Sequence, residues 1–407
     1  MSSRRLGLAG GAPLIRRSEL RTWPRLGLDE VAAVHRVLDR GILAGEDAPA
    51  TRTLEASFAH WIGVRHALLT HSGTGALQLA LIGAGIQPGD EVVFPAYGYV
   101  AGPMSASMHG AVPRFADVDR ETGNLDPSSF AEVVNDRTRA VVPMQIHGCP
   151  ADMDEISAIA SRRGVVVVED AAQAHGATYR GRSVGALGAM GVFSLHESKP
   201  LPAGEGGLFV TDDDALMELA LRARSLGRHP RLSDPLSTVP GHMLRGNEMA
   251  AALALSQLPR LAARVAAVQK KAALLRAELE GLEGLRLQRL PRDRTSSWYK
   301  VRLELDAERA GVAIPPRALR DLLVRALTAE GVDAGLWQHA LLPEHPVFSR
   351  RAEPAERFGR AAALLDSSVI LFSQRRPLIA QSSEVVRRVA AAVREVWGRR
   401  RSLLRLA

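Results

Sequence analysis

The sequence predicts an α/β fold: a large domain built on a mostly parallel β-sheet, followed by a smaller α+β domain. Three observations carry this. Short β-rich runs alternate with helical patterns through the first ~250 residues, as in a parallel sheet layered with helices. One run, Val165 to Glu169, is apolar without alternation, as in a strand buried on both faces. From residue 248 the pattern becomes a long Ala/Leu/Arg helical stretch, then a mixture of strands and helices.

Residues 1–25 read as an N-terminal arm, 26–255 as the large domain and 256–407 as the small one. Strands are expected at 91–94, 112–118, 140–145, 165–169, 192–195 and 207–211. Helices fit 75–84, 127–135, 152–163 and 213–225, the second opened by Asp126 as N-cap and Pro127 in the first turn. The stretch 248–281 reads as two helices divided near Pro259, because an internal proline removes a helix hydrogen bond. SWYKVRLEL at 297–305 reads as a strand, and 316–329 and 383–396 as helices.

A chain of 407 residues can bury a large core, and its 46% hydrophobic content is ordinary for a globular protein. No 18 apolar residues run together, so no membrane span is expected. The single cysteine, Cys149, cannot close an internal disulfide, which fits a cytoplasmic location. The net charge of +8 is spread along the chain apart from a tail from Arg399 to Arg405. Neither zinc-ligand spacing nor an RNA-binding aromatic motif accompanies it, so neither a metal nor a nucleic-acid partner is expected. Lysine is scarce: of 52 basic residues only Lys199, Lys270, Lys271 and Lys300 are lysine. Arginine stays charged, whereas a lysine amine can lose its proton and attack a carbonyl. A lysine retained in so arginine-rich a chain is therefore a candidate for chemistry.

Lys199 stands in FSLHESKPLPAGEGG, residues 193–207, just past a strand end and before Pro200, in a glycine-rich loop. Asp170 directly follows the valine-rich strand, at its carboxyl end, where open α/β sheets bind ligands. It can face a ligand there or cap the next turn. HSGTGALQLAL, residues 71–81, reads as a turn feeding a helix, with Gly73, Thr74 and Gly75 offering backbone N–H groups to an anion. The same pattern also fits an ordinary N-cap, and no lysine ends the loop as in a nucleotide P-loop. Tyr97 and Tyr99 lie past the strand at 91–94, and either can stack on an aromatic ring or fill core. An imine-forming amine, an acid for a ring nitrogen, an anion cradle and a flat stacking group are what pyridoxal 5′-phosphate (PLP) requires of its protein.

The strings SGTGALQLAL, PGDEVVFPAYGYVA, GNLDP, PADMDEI, VEDAAQAHGA, FSLHESK and AGEGG, in this order, resemble the DegT/DnrJ/EryC1/StrS family of PLP-dependent sugar and cyclitol aminotransferases. The resemblance implies a three-layer sandwich of the aspartate-aminotransferase type (PLP fold type I). It also implies a homodimer with sites at the subunit interface. It makes Lys199 the Schiff-base lysine and proton shuttle, and pairs Asp170 with the pyridinium nitrogen. Gln173 would contact the phenolic oxygen of PLP, and Tyr99 would stack on the ring. Thr74, Gly75 and Ser194 would bind the phosphate, and His196 matches an active-site histidine of many members. The implied reaction moves an amino group from L-glutamate or L-glutamine to a keto-sugar, keto-cyclitol or related ketone. Relatives that make aminobenzoate-type units also keep the lysine, and GGAPL at 10–14 resembles the branch acting on cyclitols and antibiotic precursors. A PLP-binding sensor without catalysis is the reading from another class.

In the family block G-x-N-x-R-x-x-E an asparagine reaches the neighbouring subunit's phosphate. Here the block is GHMLRGNE, residues 241–248, with Met243 at that place and Arg245 and Glu248 retained. Methionine donates no hydrogen bond, so His242 or Asn247 are the candidate substitutes. In GLWQHALLPEHPVF, 335–348, no family position aligns cleanly, and Trp337, His339 and His345 are read as packing residues.

Overall fold

The β-rich runs pair as strands β1 (His66–Thr70), β2 (Glu91–Pro95), β3 (Val112–Ala116), β4 (Thr138–Val141) and β5 (Val166–Asp170). A short ribbon, β6 (Thr178–Tyr179) and β7 (Arg182–Ser183), precedes β8 (Met190–Ser194) and β9 (Gly207–Thr211). This is a computed structural model, and it describes residues 4–45, 47–229, 236–349 and 355–404. Seven strands form one sheet in the order β1-β9-β8-β5-β4-β2-β3. Its pairs are parallel except that β9 runs antiparallel to both β1 and β8.

Alternation decides which side chains reach which layer. Leu68, Val192 and Phe209 enter one core; their neighbours Leu69, Phe193, Leu208 and Val210 enter the other. The first core is covered by α3 (Gly73–Gly83), α4 (Ala101–Met108) and α7 (Asp214–Ala223). The second is covered by α1 (Leu28–Arg40), α2 (Pro49–Ile62) and the start of α8 (Glu248–Glu278). Helices α5 (Pro127–Val133) and α6 (Met153–Arg163) close a third cluster over β4 and β5. The result is a helix–sheet–helix sandwich in which β5, β8 and β9 lie between two apolar layers. Each fully buried Phe or Leu there contributes about 1.5–3 kcal/mol relative to exposure.

The C-terminal part carries a four-stranded antiparallel sheet, ordered β10 (Leu285–Leu287), β11 (Val301–Leu305), β13 (Ser368–Leu371), β12 (Ala334–Gly335). Helix α9 (Pro316–Ala329) packs on it, α10 (Pro346–Ser349) sends Phe348 into the large-domain core, α11 (Gly359–Ser367) lies against α9, and α12 (Ser383–Gly398) joins the C-terminal core against α8 and α9. The N-terminal arm joins this core through Leu6, Ile15 and Leu20. The buried Glu330 carboxylate accepts from the N–H groups of Gly7 and Leu14.

Four expectations change. Pro259 does not divide the helix: α8 runs unbroken from Glu248 to Glu278. Tertiary packing outweighs the lost bond, because Ala251, Ala254, Leu258, Leu261 and Val265 on both sides of the proline share one core. A boundary at 255/256 accordingly falls inside α8, whose buried face passes from the large-domain core at Val265 to the C-terminal core at Val268. The expected strand at 140–145 stops at Val141, since Pro143 cannot donate to a ladder. The expected strand at 297–305 begins only at Val301. Ser297 N–H donates to the Gly148 carbonyl and Lys300 N–H to that of His147, with Trp298 held at φ +48°. That hook pulls residues 297–300 off the strand line. Arg405 lies outside the described residues.

Candidate active site

The parallel strands end on one edge of the sheet, and the candidate residues stand at those ends. Asp170 closes β5 and is 3% exposed. Its Oδ1 accepts from Ala172 N–H at 3.1 Å, so it does cap the following turn, and no partner in the described chain holds Oδ2. Burial, only partly countered by that N–H and by nearby Lys199, raises its pKa above the usual aspartate range. A cationic N–H donor facing Oδ2 would remove that penalty.

Ser194 closes β8, and the register Thr70↔Gly207 and Ser194↔Gly207 aligns β1, β9 and β8 at this edge. A side chain at Gly207 would meet the Ser72 carbonyl at 2.3 Å, so only glycine lets the turn into α3 lie this close. Ser72 is the N-cap of α3, accepting from Gly75 N–H at 3.0 Å. Gly75 is buried behind the turn with that donor engaged, whereas Gly73 and Thr74 line the cavity with their backbone N–H groups unpaired among the described residues. With the Ser194 hydroxyl they make an anion cradle at the positive end of a helix.

After β8 the chain turns tightly: Lys199 N–H donates to His196 O at 2.9 Å, and the Trp23 indole of the arm donates to Lys199 O at 3.1 Å. This presents the Lys199 side chain to a cavity of about 320 Å³, lined also by Thr74, Tyr99, Asp170, Gln173, Ser194 and His196. A cavity of this size suits a small-molecule ligand. Gln173 Oε1 accepts from His147 N–H at 2.9 Å, which fixes the amide so that its NH2 is the group left for a ligand. Of the two tyrosines, Tyr97 is core, with its hydroxyl pKa raised by burial, while Tyr99 is 56% exposed and lines the cavity.

Several cavity residues were not singled out from sequence. Tyr299, brought there by the 297–300 hook, and Ser198, in the turn before Lys199, line it, and Lys199 Nζ lies 4.3 Å from the Tyr299 ring centroid. Burial opposes ionisation of the Tyr299 hydroxyl, but Lys199 and Lys300 outweigh it and hold the pKa below the ordinary tyrosine value. The scarcity of tyrosine and lysine was the available signal, since Tyr299-Lys300 combines both. Trp337, read as packing, also lines the cavity and meets Tyr97 and His147 edge-on at 4.9 and 4.7 Å. His339 and His345 do not reach it. His175 is fully buried beside Phe193, and burial, then the charge of Lys199, lowers its pKa to about 3.

At the departure from the family block, Met243 is 49% exposed, its sulfur 3.2 Å from Arg245 Nε. Asn247 caps α8 through Oδ1, and Glu248 receives the N–H groups of Ala50 and Thr51 at the start of α2. Glu248 is thus a structural residue.

The fold and this site define a PLP-dependent aminotransferase of fold type I. Residues 24–394 match the family model described as the DegT/DnrJ/EryC1/StrS aminotransferase family, and the chain belongs to that family. It is 32% identical over 404 residues to Protein MosB of Rhizobium meliloti, covering 95% of this chain and 79% of that one. Among solved structures, 3-amino-5-hydroxybenzoic acid synthase superposes with a TM-score of 0.86 at 29% identity, covering 94% of this chain and 99% of that one. DesV of S. venezuelae, solved with a ketimine intermediate, gives 0.82 at 32% identity, covering 93% and 99%.

Proposed function

We propose that this chain is a cytoplasmic homodimer that carries PLP on Lys199. It would move an amino group from L-glutamate or L-glutamine to a keto-sugar, keto-cyclitol or related ketone. The observation that carries the reading is the meeting of Lys199 and Asp170 in one cavity at the carboxyl ends of β8 and β5. PLP when bound supplies an electron sink that eases removal of the donor's α-proton.

The residues present fit that group. Asp170 offers an unpaired carboxylate oxygen that a protonated ring nitrogen would satisfy. Gln173 offers its oriented amide NH2 to the phenolic oxygen. The cradle of Gly73, Thr74 and Ser194 suits a phosphate, and Tyr99 offers a flat face. Lys199 is both the attachment point and the base that takes the α-proton and returns it, within reach of Tyr299. Asp170, by staying ionised against a cation, keeps the ring nitrogen protonated. His196, at the mouth, is placed to exchange protons with solvent.

A homodimer is supported by apolar side chains left exposed along and after α1: Leu28, Val31, Leu38, Ile42 and Leu43. The likeness to 3-amino-5-hydroxybenzoic acid synthase favours an aromatising reaction as the second reading. Purified PLP-loaded protein, offered amino donors and keto-acceptors and followed by mass, separates the two. A new amine at the acceptor's ketone supports transfer; loss of water to an aromatic product supports the other. An absorbance band indifferent to every amino acid tested would contradict both and favour a sensor.

A further inference from the structure

We propose that Tyr299, Ser198 and His196 form a proton relay that carries the proton taken up by Lys199 out to solvent. This rests on the reading of Lys199 as the base. The direction of its Tyr299–Ser198–His196 part follows from hydrogen bonding. The backbone N–H of Ser198 donates to His196 Nδ1 at 3.2 Å, so that nitrogen is an acceptor and the imidazole proton sits on Nε2. Ser198 Oγ, 2.9 Å from the same Nδ1, therefore donates to it. That hydroxyl is then free to accept, and the Tyr299 hydroxyl lies 3.1 Å away with its own proton to give. Lys199 Nζ lies over the Tyr299 ring, 4.3 Å from its centroid, and its charge acts on the Tyr299 hydroxyl.

The line runs from interior to surface. Ser198 and Tyr299 are each 6% exposed, the His196 side chain is 38% exposed, and Glu205, 3.9 Å from His196 Nε2, is 71% exposed. The other charged and titratable groups facing the Tyr299 end are Lys300, with Nζ 5.0 Å from the ring, and Asp333 beyond it. Asp170 and His175 face Lys199. The two ammonium groups beside Tyr299 favour release of its proton, which suits a relay.

In the step, the Lys199 ammonium moves from the face of the Tyr299 ring to its hydroxyl and gives a proton to the oxygen. The Tyr299 proton passes to Ser198 Oγ and the Ser198 proton to His196 Nδ1. Lys199 is left neutral, the imidazole becomes imidazolium with Nε2–H toward Glu205, and one unit of positive charge has moved to the mouth. Only O–H and N–H bonds form and break, and His196 then yields its proton to water.

The test uses the PLP-loaded protein with α-deuterated L-glutamate and, separately, L-glutamine. It reads two rates: deuterium washout into solvent and keto-acid formation. Ser198→Ala leaves the Tyr299 hydroxyl in place but cuts the line. Its ratio of washout to keto-acid formation should fall on the order of tenfold, as expected when a proton-transfer route is lost. Tyr299→Phe and His196→Gln should do the same. The Ser198→Ala/His196→Gln double variant should fall no further than about twofold beyond either single variant, because one line can be cut only once. A ratio unchanged in Ser198→Ala, including a parallel fall of both rates, overturns the relay, and so do multiplicative losses. Independently of turnover, 15N NMR of histidine-labelled protein should show His196, identified by its absence in His196→Gln, as the Nε2–H tautomer; the Nδ1–H tautomer overturns the relay. If the wild-type protein washes out no deuterium from either donor, the reading of Lys199 as base has failed. Washout that is untouched by Ser198→Ala fails the relay only.

Discussion

His175 gives the site a calculable acid sensitivity. Its ring is fully buried beside Phe193, and burial followed by the nearby Lys199 lowers its pKa to about 3 from an ordinary 6.5. Between those values the unfolded chain binds a proton that the folded one refuses, so stability falls as the pH falls. The contribution is intact above about pH 6.5, and its loss is complete only below about pH 3, where it amounts to roughly 5 kcal/mol at one unit per 1.36 kcal/mol. At about pH 5 the loss is about 2 kcal/mol, a large share of the stability of an ordinary domain. His175→Gln, similar in volume and unable to titrate, removes this component. Any packing cost it adds is common to both pH values and cancels. Urea unfolding followed by circular dichroism at about pH 7.5 and about pH 5 gives four free energies, with PLP held at one saturating concentration. The wild type should lose about 2 kcal/mol more than the variant on acidification. Equal losses within about 0.5 kcal/mol would refute the claim that His175 is held neutral by its surroundings.

Other outcomes follow from the same geometry. Asp170→Asn should keep the Lys199-linked absorbance band but slow its bleaching by glutamate or glutamine on the order of a hundredfold or more, since a neutral amide does not hold the ring nitrogen protonated; normal bleaching would deny Asp170 that role. Glu248→Ala leaves the donors of Ala50 and Thr51 unsatisfied at the buried start of α2. It should cost about 3 kcal/mol in urea unfolding, and a loss under about 1 kcal/mol would contradict the capping. Met243→Asn restores a donor at an exposed position and should tighten PLP binding on the order of tenfold in equilibrium dialysis, the value of one charge-assisted bond. Unchanged affinity would show that the phosphate is held without that contact.

What was legible in the sequence was what is local. The valine run placed β5, and with it Asp170, because a strand buried on both faces needs no long-range information. Arginine bias made Lys199 conspicuous on chemical grounds. The loops were less legible. Tyr299 reaches the cavity only because residues 297–300 hook onto the turn at His147 and Gly148, about 150 positions earlier. Nothing in the periodicity of SWYKVRLEL announces the positive φ at Trp298. Pro259 misled for the converse reason: a local rule was overridden by apolar contacts that α8 makes on both sides of it. Gly75 and Thr74 look equivalent in the string SGTGA, yet the Ser72 cap engages the N–H of one and leaves that of the other.

The most direct measurement is borohydride reduction of PLP-loaded protein followed by peptide mapping. With only four lysines to choose from, the result is unambiguous. The pyridoxyl mass should appear on the peptide carrying Lys199 and on no other. Label on Lys300, the second lysine beside Tyr299, or on Lys270 or Lys271, or no label at all, would contradict the assignment of Lys199 as the residue that holds the cofactor.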